Sequence, residues 1–200
     1  MLFGKDTVVS NDTTAVNVYE RILKLLASIL KMVVDEVRDP HKVAEALQVI
    51  VDQTGIYLHR LCEVELGATD CTETFKSSGL FTGGIYGLAV PAAAQGKATS
   101  ATKAIVWEMI LDGAYALLFG SLGKSRQRCT EAQVVRFCRD HRDKLRTEGY
   151  ATLFEMEGDV VARVNFDDYG QLAVSVHSFS SVSVWGVEFR HRLVSLQLVP

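Results

Sequence analysis

The hydrophobic period of this chain changes once, near residue 150, and that change limits the folds open to it. Before it, apolar residues recur every three to four positions, as on one face of a helix; after it they alternate, as on a half-buried strand. The alternation is clearest where Leu172, Val174 and Val176 face one way and Ala173, Ser175 and His177 the other. It predicts strands at Tyr150–Met156, Asp159–Phe166, Gln171–Phe179 and Val182–Phe189, with Leu193–Val199 as a fifth. Glu157-Gly158 and Asp167-Asp168-Tyr169-Gly170 read as the turns of an antiparallel meander with one face against helices.

Residues 12–147 read as the helical part. Tyr19, Ile22, Leu23, Leu26, Ile29, Leu30, Val33 and Val37 predict a helix over 14–37. Asp39-Pro40 ends it and starts a second, with Asp as N-cap and Pro at the first helical position. That second helix is expected to run to about Leu66, closed by Gly67, and to form an antiparallel hairpin with the first. Residues 77–96 carry no charge and five glycines, and read as a Gly-rich connector. Ala101–Phe119 is apolar nearly all round, as befits a helix at the centre of a fold. Thr130-Glu-Ala-Gln133 matches a capping box and opens a helix to about Arg146. The expected fold is therefore α+β: an N-terminal helical hairpin and a central apolar helix on a C-terminal four- to five-stranded antiparallel meander, in one domain spanning 1–200.

A chain of 200 residues, 48% apolar, buries about 70% of its unfolded surface, so its core needs no cross-link. Disordered and disulfide-scaffold classes are thereby excluded, and Cys62, Cys71, Cys129 and Cys138 read as free thiols. The first sixteen residues lack the basic and apolar regions of a secretion signal, which predicts a cytoplasmic protein. Residues 77–96 and 104–119 together resemble a membrane-inserting hairpin, but Glu108 and Asp112 would each cost about 2.5–3.5 kcal/mol at mid-bilayer, so membrane insertion is not expected.

Charge is concentrated. Residues 124–146 carry 8 basic and 3 acidic side chains, in a molecule whose formal net charge is −3. Lys124, Arg126 and Arg128 precede the capping box; Arg136, Arg139, Arg142 and Arg146 follow, within a sector of about 120° if the helix is continuous. Guanidinium forks on such a face would grip an anion or an acidic partner.

Other constellations are weaker. Gly120-Ser-Leu-Gly123-Lys124-Ser125 has two residues where a phosphate loop needs four, and it holds no nucleophile elbow. His59-x-x-Cys62 and Cys138-x-x-His141 are weak zinc candidates if their helices meet; no metal and no cofactor is expected. Glu108 and Asp112, one helical turn apart, read as the wetted edge of the central helix. No catalytic signature remains. The expected function is a non-enzymatic binding or assembly protein that self-associates or docks an acidic partner through the basic face. Nucleic-acid binding through residues 124–146 is the second reading, and a small enzyme with a cleft beside connector 77–96 the third.

Overall fold

The computed structural model describes residues 24–25, 27–28, 31, 39–43, 57–123 and 126–197. The chain divides into two compact units, Met1–Asp52 and Gln53–Pro200. In the first, the described residues within 24–31 and residues 40–43 are helical. Asp39 caps the latter segment as its sequence predicts, its carboxylate accepting from His41 N–H at 2.9 Å. The remainder of the expected helical hairpin lies outside the described residues.

The second unit overturns the α+β expectation. It is built on an eight-stranded mixed sheet, with β1 (Leu58–Leu66), β2 (Gly84–Gly87), β3 (Thr102–Met109), β4 (Arg126–Gln127), β5 (Ala151–Met156), β6 (Val160–Phe166), β7 (Leu172–Ser178) and β8 (Arg192–Gln197). Its order is β1-β3-β8-β5-β6-β7-β2, with β4 pairing β8 outside that path. Helices are short: α1 (Tyr115–Gly120) and α2 (Glu131–Asp140).

Three of the predicted elements correct in instructive ways. The C-terminal part of the second helix is strand β1. A bulge between Arg60 and Cys62 moves its apolar side chains from one sheet face to the other, so Leu58 and Leu66, of equal parity, belong to opposite cores. One extra residue turns alternation into the spacing 58, 61, 62, 66, which imitates a helix. The central helix over 101–119 is strand β3 followed by a turn and α1. Ala104 and Val106 pack on one face and Met109 on the other, and burial on both faces makes a strand look apolar all round. The expected strand Val182–Phe189 is a connection instead. β5, β7 and β8 run in the same direction, so the chain must cross the sheet between β7 and β8. Residues 179–191 make that crossing over the second face. β8 then enters the sheet antiparallel to β3 and parallel to β5.

Two cores result. On the first face α2 and the 75–94 segment cover Val106, Phe154, Val164, Val174 and Val194; Phe137 meets Phe154 edge-on at 5.3 Å. On the second face α1 and the crossing segment cover Met109, Leu153, Val161 and Leu193. The capping box forms as read: Thr130 Oγ1 accepts from Gln133 N–H, and Gln133 Oε1 accepts from Thr130 N–H at 2.9 Å. α2 ends six residues earlier than expected, at Asp140, where His141 leaves helical geometry. At the sheet's far edge Gly87 is irreplaceable: its φ is +83°, and a Cβ there would lie 2.2 Å from the Val176 carbonyl oxygen.

Truncating the ring shared by α2 and β5 tests this layering. Phe137→Ala is expected to cost about 3–5 kcal/mol in urea unfolding. Val182→Ala, at a crossing-segment position 89% exposed, is expected to change stability by no more than about 0.5 kcal/mol.

Candidate functional site

The basic segment folds so that its charges meet the protein's own groups. Arg126 Nε donates to Glu155 Oε2 at 2.6 Å and also reaches the Gly123 carbonyl; Arg128 Nε donates to Glu155 Oε1 at 3.0 Å. Arg128 also pairs with Asp159 at 2.9 Å. Glu155, 4% exposed on β5, thus holds two guanidinium groups on one carboxylate. Arg136 pairs with Asp140 one turn along α2, and Arg139 forks onto Glu73 at 2.5 and 2.7 Å.

Arg142 and Arg146 lie beyond the end of α2, so the expected continuous ridge is interrupted. Arg142 stacks on Phe166 at 4.9 Å and donates to the Gly170 carbonyl; Arg146 stacks on Tyr150 at 5.2 Å and donates to the Phe189 carbonyl. Lys124 lies outside the described residues.

The histidine–cysteine set does not converge. His59 and Cys62 sit on either side of the β1 bulge. Cys138 is buried in the first core, where burial pushes its thiol up, and His141 Nε2 lies 2.9 Å from the Glu65 carbonyl oxygen. Among the described residues no group of three or more His, Cys, Asp or Glu side chains is placed to hold a metal. Nor are Glu108 and Asp112 on one helix. Glu108 lies on β3 with Arg190 at 3.7 Å, and Asp112 accepts from Val187 N–H at 2.7 Å. No helix among the described residues is long and apolar enough to cross a membrane.

A different cluster stands on the second sheet face. Arg163 on β6 is directly opposite Ser175 on β7, and His177 follows two residues on, so the three share one face. The crossing segment lays Trp185 over them. It is held there by reciprocal bonds between Trp185 and Gly113, at 3.0 and 3.2 Å, and by the Asp112–Val187 bond. The Arg163 guanidinium lies over the Trp185 ring at 5.4 Å, and the Tyr115 ring, from the first turn of α1, sits 5.5 Å from Trp185 and 6.4 Å from His177.

These groups are unevenly satisfied. Ser175 Oγ and His177 Nε2 are bonded at 2.9 Å. Tyr115 Oη, Trp185 Nε1 and Arg163 Nε are buried atoms without a hydrogen-bond partner, three of the five such side-chain atoms among the described residues. Buried donors left unpaired are costly, and the Arg163 Nε with two neutral groups beside it marks a place that favours an acceptor. Among the described residues no carboxylate pairs with Arg163; Asp159, the acid nearest before it in sequence, is held by Arg128. Burial raises the Tyr115 hydroxyl above its ordinary range, and burial with the Arg163 charge lowers His177.

Sequence reading did not single out Arg163. Its available signal was a cation at the inward parity of a strand, between Val161 and Asn165, facing a serine and a histidine. Tyr115 falls in the expected central helix and Trp185 in the expected strand Val182–Phe189, and only the tertiary fold brings the two rings together beside Arg163. Compared with protein-family models, curated proteins and solved structures, the chain has no match.

His191 borders this cluster and carries a pH test. It is 4% exposed. Its Nδ1 accepts from Ala151 N–H at 3.0 Å, and Trp185 meets its ring at 5.0 Å. Burial lowers its pKa to about 4. Both folded and unfolded forms are neutral above the unfolded value of about 6.5; below it only the unfolded state gains the proton. Stability is therefore full above that value, falls as pH drops from about 6.5 toward 4, and levels out below. The expected loss from this residue is about 2–3 kcal/mol. Urea unfolding at pH 7 and pH 4 should show that much less pH dependence in His191→Gln than in the native chain.

Proposed function

We propose that this protein is a non-enzymatic binding protein that docks a carboxylate of an acidic partner on Arg163. The observation that carries the reading is a half-buried guanidinium, without a carboxylate among the described residues, beside the Tyr115 hydroxyl and the Trp185 indole. A guanidinium presents planar donors to a carboxylate and is weakly hydrated, so a partly dehydrated site suits it better than it would suit lysine. One cation with neutral donors matches a single negative charge. A polyanion such as nucleic acid draws its affinity from several cations at once, and Arg126, Arg128, Arg136 and Arg139 are engaged with Glu155, Asp159, Asp140 and Glu73. That balance favours an acidic protein segment over nucleic acid.

The Ser175–His177 pair supports binding rather than hydrolysis. A nucleophilic serine needs a base that is itself oriented by a third group. Here the base is weakened by burial and by the adjacent Arg163 charge, and among the described residues no carboxylate is bonded to its other nitrogen.

A tetra-glutamate peptide titrated into the isotopically labelled protein is expected to move the Trp185 indole N–H resonance saturably. Arg163→Gln should weaken that binding about tenfold or more, the scale of a lost charge-assisted fork, whereas Arg139→Gln should leave it within about twofold. An indole signal that stays still at millimolar peptide, or a larger loss in Arg139→Gln than in Arg163→Gln, would overturn the reading.

A further inference from the structure

On the first sheet face, away from Arg163, connector 77–96 does more than join two strands. Phe81, Gly84, Ile85, Leu88, Ala89 and Val90 form the wall of an open groove of about 500 Å³, completed by Phe75, Lys76, Val176 and Glu131. That volume falls in the range of small-molecule sites. Its lining is apolar except for two charges of opposite kind. Lys76 is exposed, while Glu131 is 4% exposed.

Glu131 is the first residue of α2, where a negative charge is favoured by the helix dipole. It is not needed as a cap, because Thr130 and Gln133 already supply the capping box. Its Oε1 accepts from Phe75 N–H at 2.7 Å; its Oε2 is buried and has no partner among the described residues. Glu131 borders both this groove and a second cavity of about 10 Å³; a buried acceptor oxygen is costly alone and valuable once a donor arrives. With Oε1 occupied, a guanidinium fork lacks its second acceptor, whereas an ammonium needs only one.

We propose that this groove binds a primary alkylammonium, its nitrogen on Glu131 Oε2 and its hydrocarbon tail against Phe75, Phe81, Ile85, Leu88 and Val176. The site is independent of the Arg163 reading, since it lies on the other face of the sheet and uses none of the same residues. The exposed side chains of Ile85 and Leu88 at its mouth would be covered by the tail.

The test uses three six-carbon probes of matched length: hexylamine hydrochloride, 1-hexanol and sodium hexanoate. Each is titrated into the intact protein while the backbone amides of Phe75 and residues 84–88 are followed by NMR. Hexylamine is expected to bind saturably and about tenfold more tightly than hexanol, the gain of a charge-assisted bond over a neutral one. Glu131→Gln keeps the acceptor for Phe75 N–H and should bring the amine within about twofold of the alcohol, with circular dichroism unchanged. Equal affinities for amine and alcohol in the native protein would overturn the proposal. So would tighter binding of hexanoate, which would assign the site to Lys76, or an amine preference that survives Glu131→Gln. The native-protein comparison decides the matter even if the variant does not fold.

Discussion

Burial of the sheet on both of its faces is the constraint from which the rest of the structure follows. All six residues of β5 are buried, and its neighbours β8 and β6 contribute apolar side chains to each core. A sheet dry on both sides must have a cover on each. α2 and the connector supply one; α1 and the crossing between β7 and β8 supply the other. Because β8 inserts beside β5 in parallel, the crossing is obligatory, and it carries Trp185 over β6 and β7. The candidate anion site is thus a by-product of the strand order.

Most of the arginines of the basic segment are paired within the chain. Carboxylates from distant strands and loops come to the arginines of the basic segment: Glu155 from β5, Asp159 from the turn after it, Glu73 from the segment after β1. Exposed pairs of this sort add little stability in water, but they remove the charges from use by a partner. Glu155 differs, since a carboxylate so buried is held only with both guanidinium groups in place. On the second face Glu155 shares the parity of Arg163 but is held by Arg126 and Arg128, and among the described residues no carboxylate pairs with Arg163. The basic segment is engaged, whereas Arg163 on β6 has no carboxylate partner among the described residues.

Where sequence alone was legible, the interactions were local. The Asp39 cap, the Thr130–Gln133 capping box and the antiparallel run β5-β6-β7 depend on residues within a few positions or on strands joined by tight turns. Their signals survive because each is satisfied by its own neighbours in the chain. The candidate site was only half legible. Ser175 and His177 could be placed on one strand face by parity, but only the fold brings Tyr115 and Trp185 to Arg163. The expected basic ridge required α2 to continue to Arg146, and no local rule revealed that it stops at Asp140.

What the amino-acid order determined by itself, then, was the set of segments with an apolar side, their turns and caps, and an interior large enough to need no cross-links. Tertiary structure decided which apolar runs became strands. A segment such as 102–109, which sends apolar side chains into both cores, has no clear period to declare itself, and the bulge in 58–66 disguises the period it has. It also decided which charges are spoken for, because an ion pair such as Arg139–Glu73 joins residues far apart in the chain, and only a folded backbone brings them within reach.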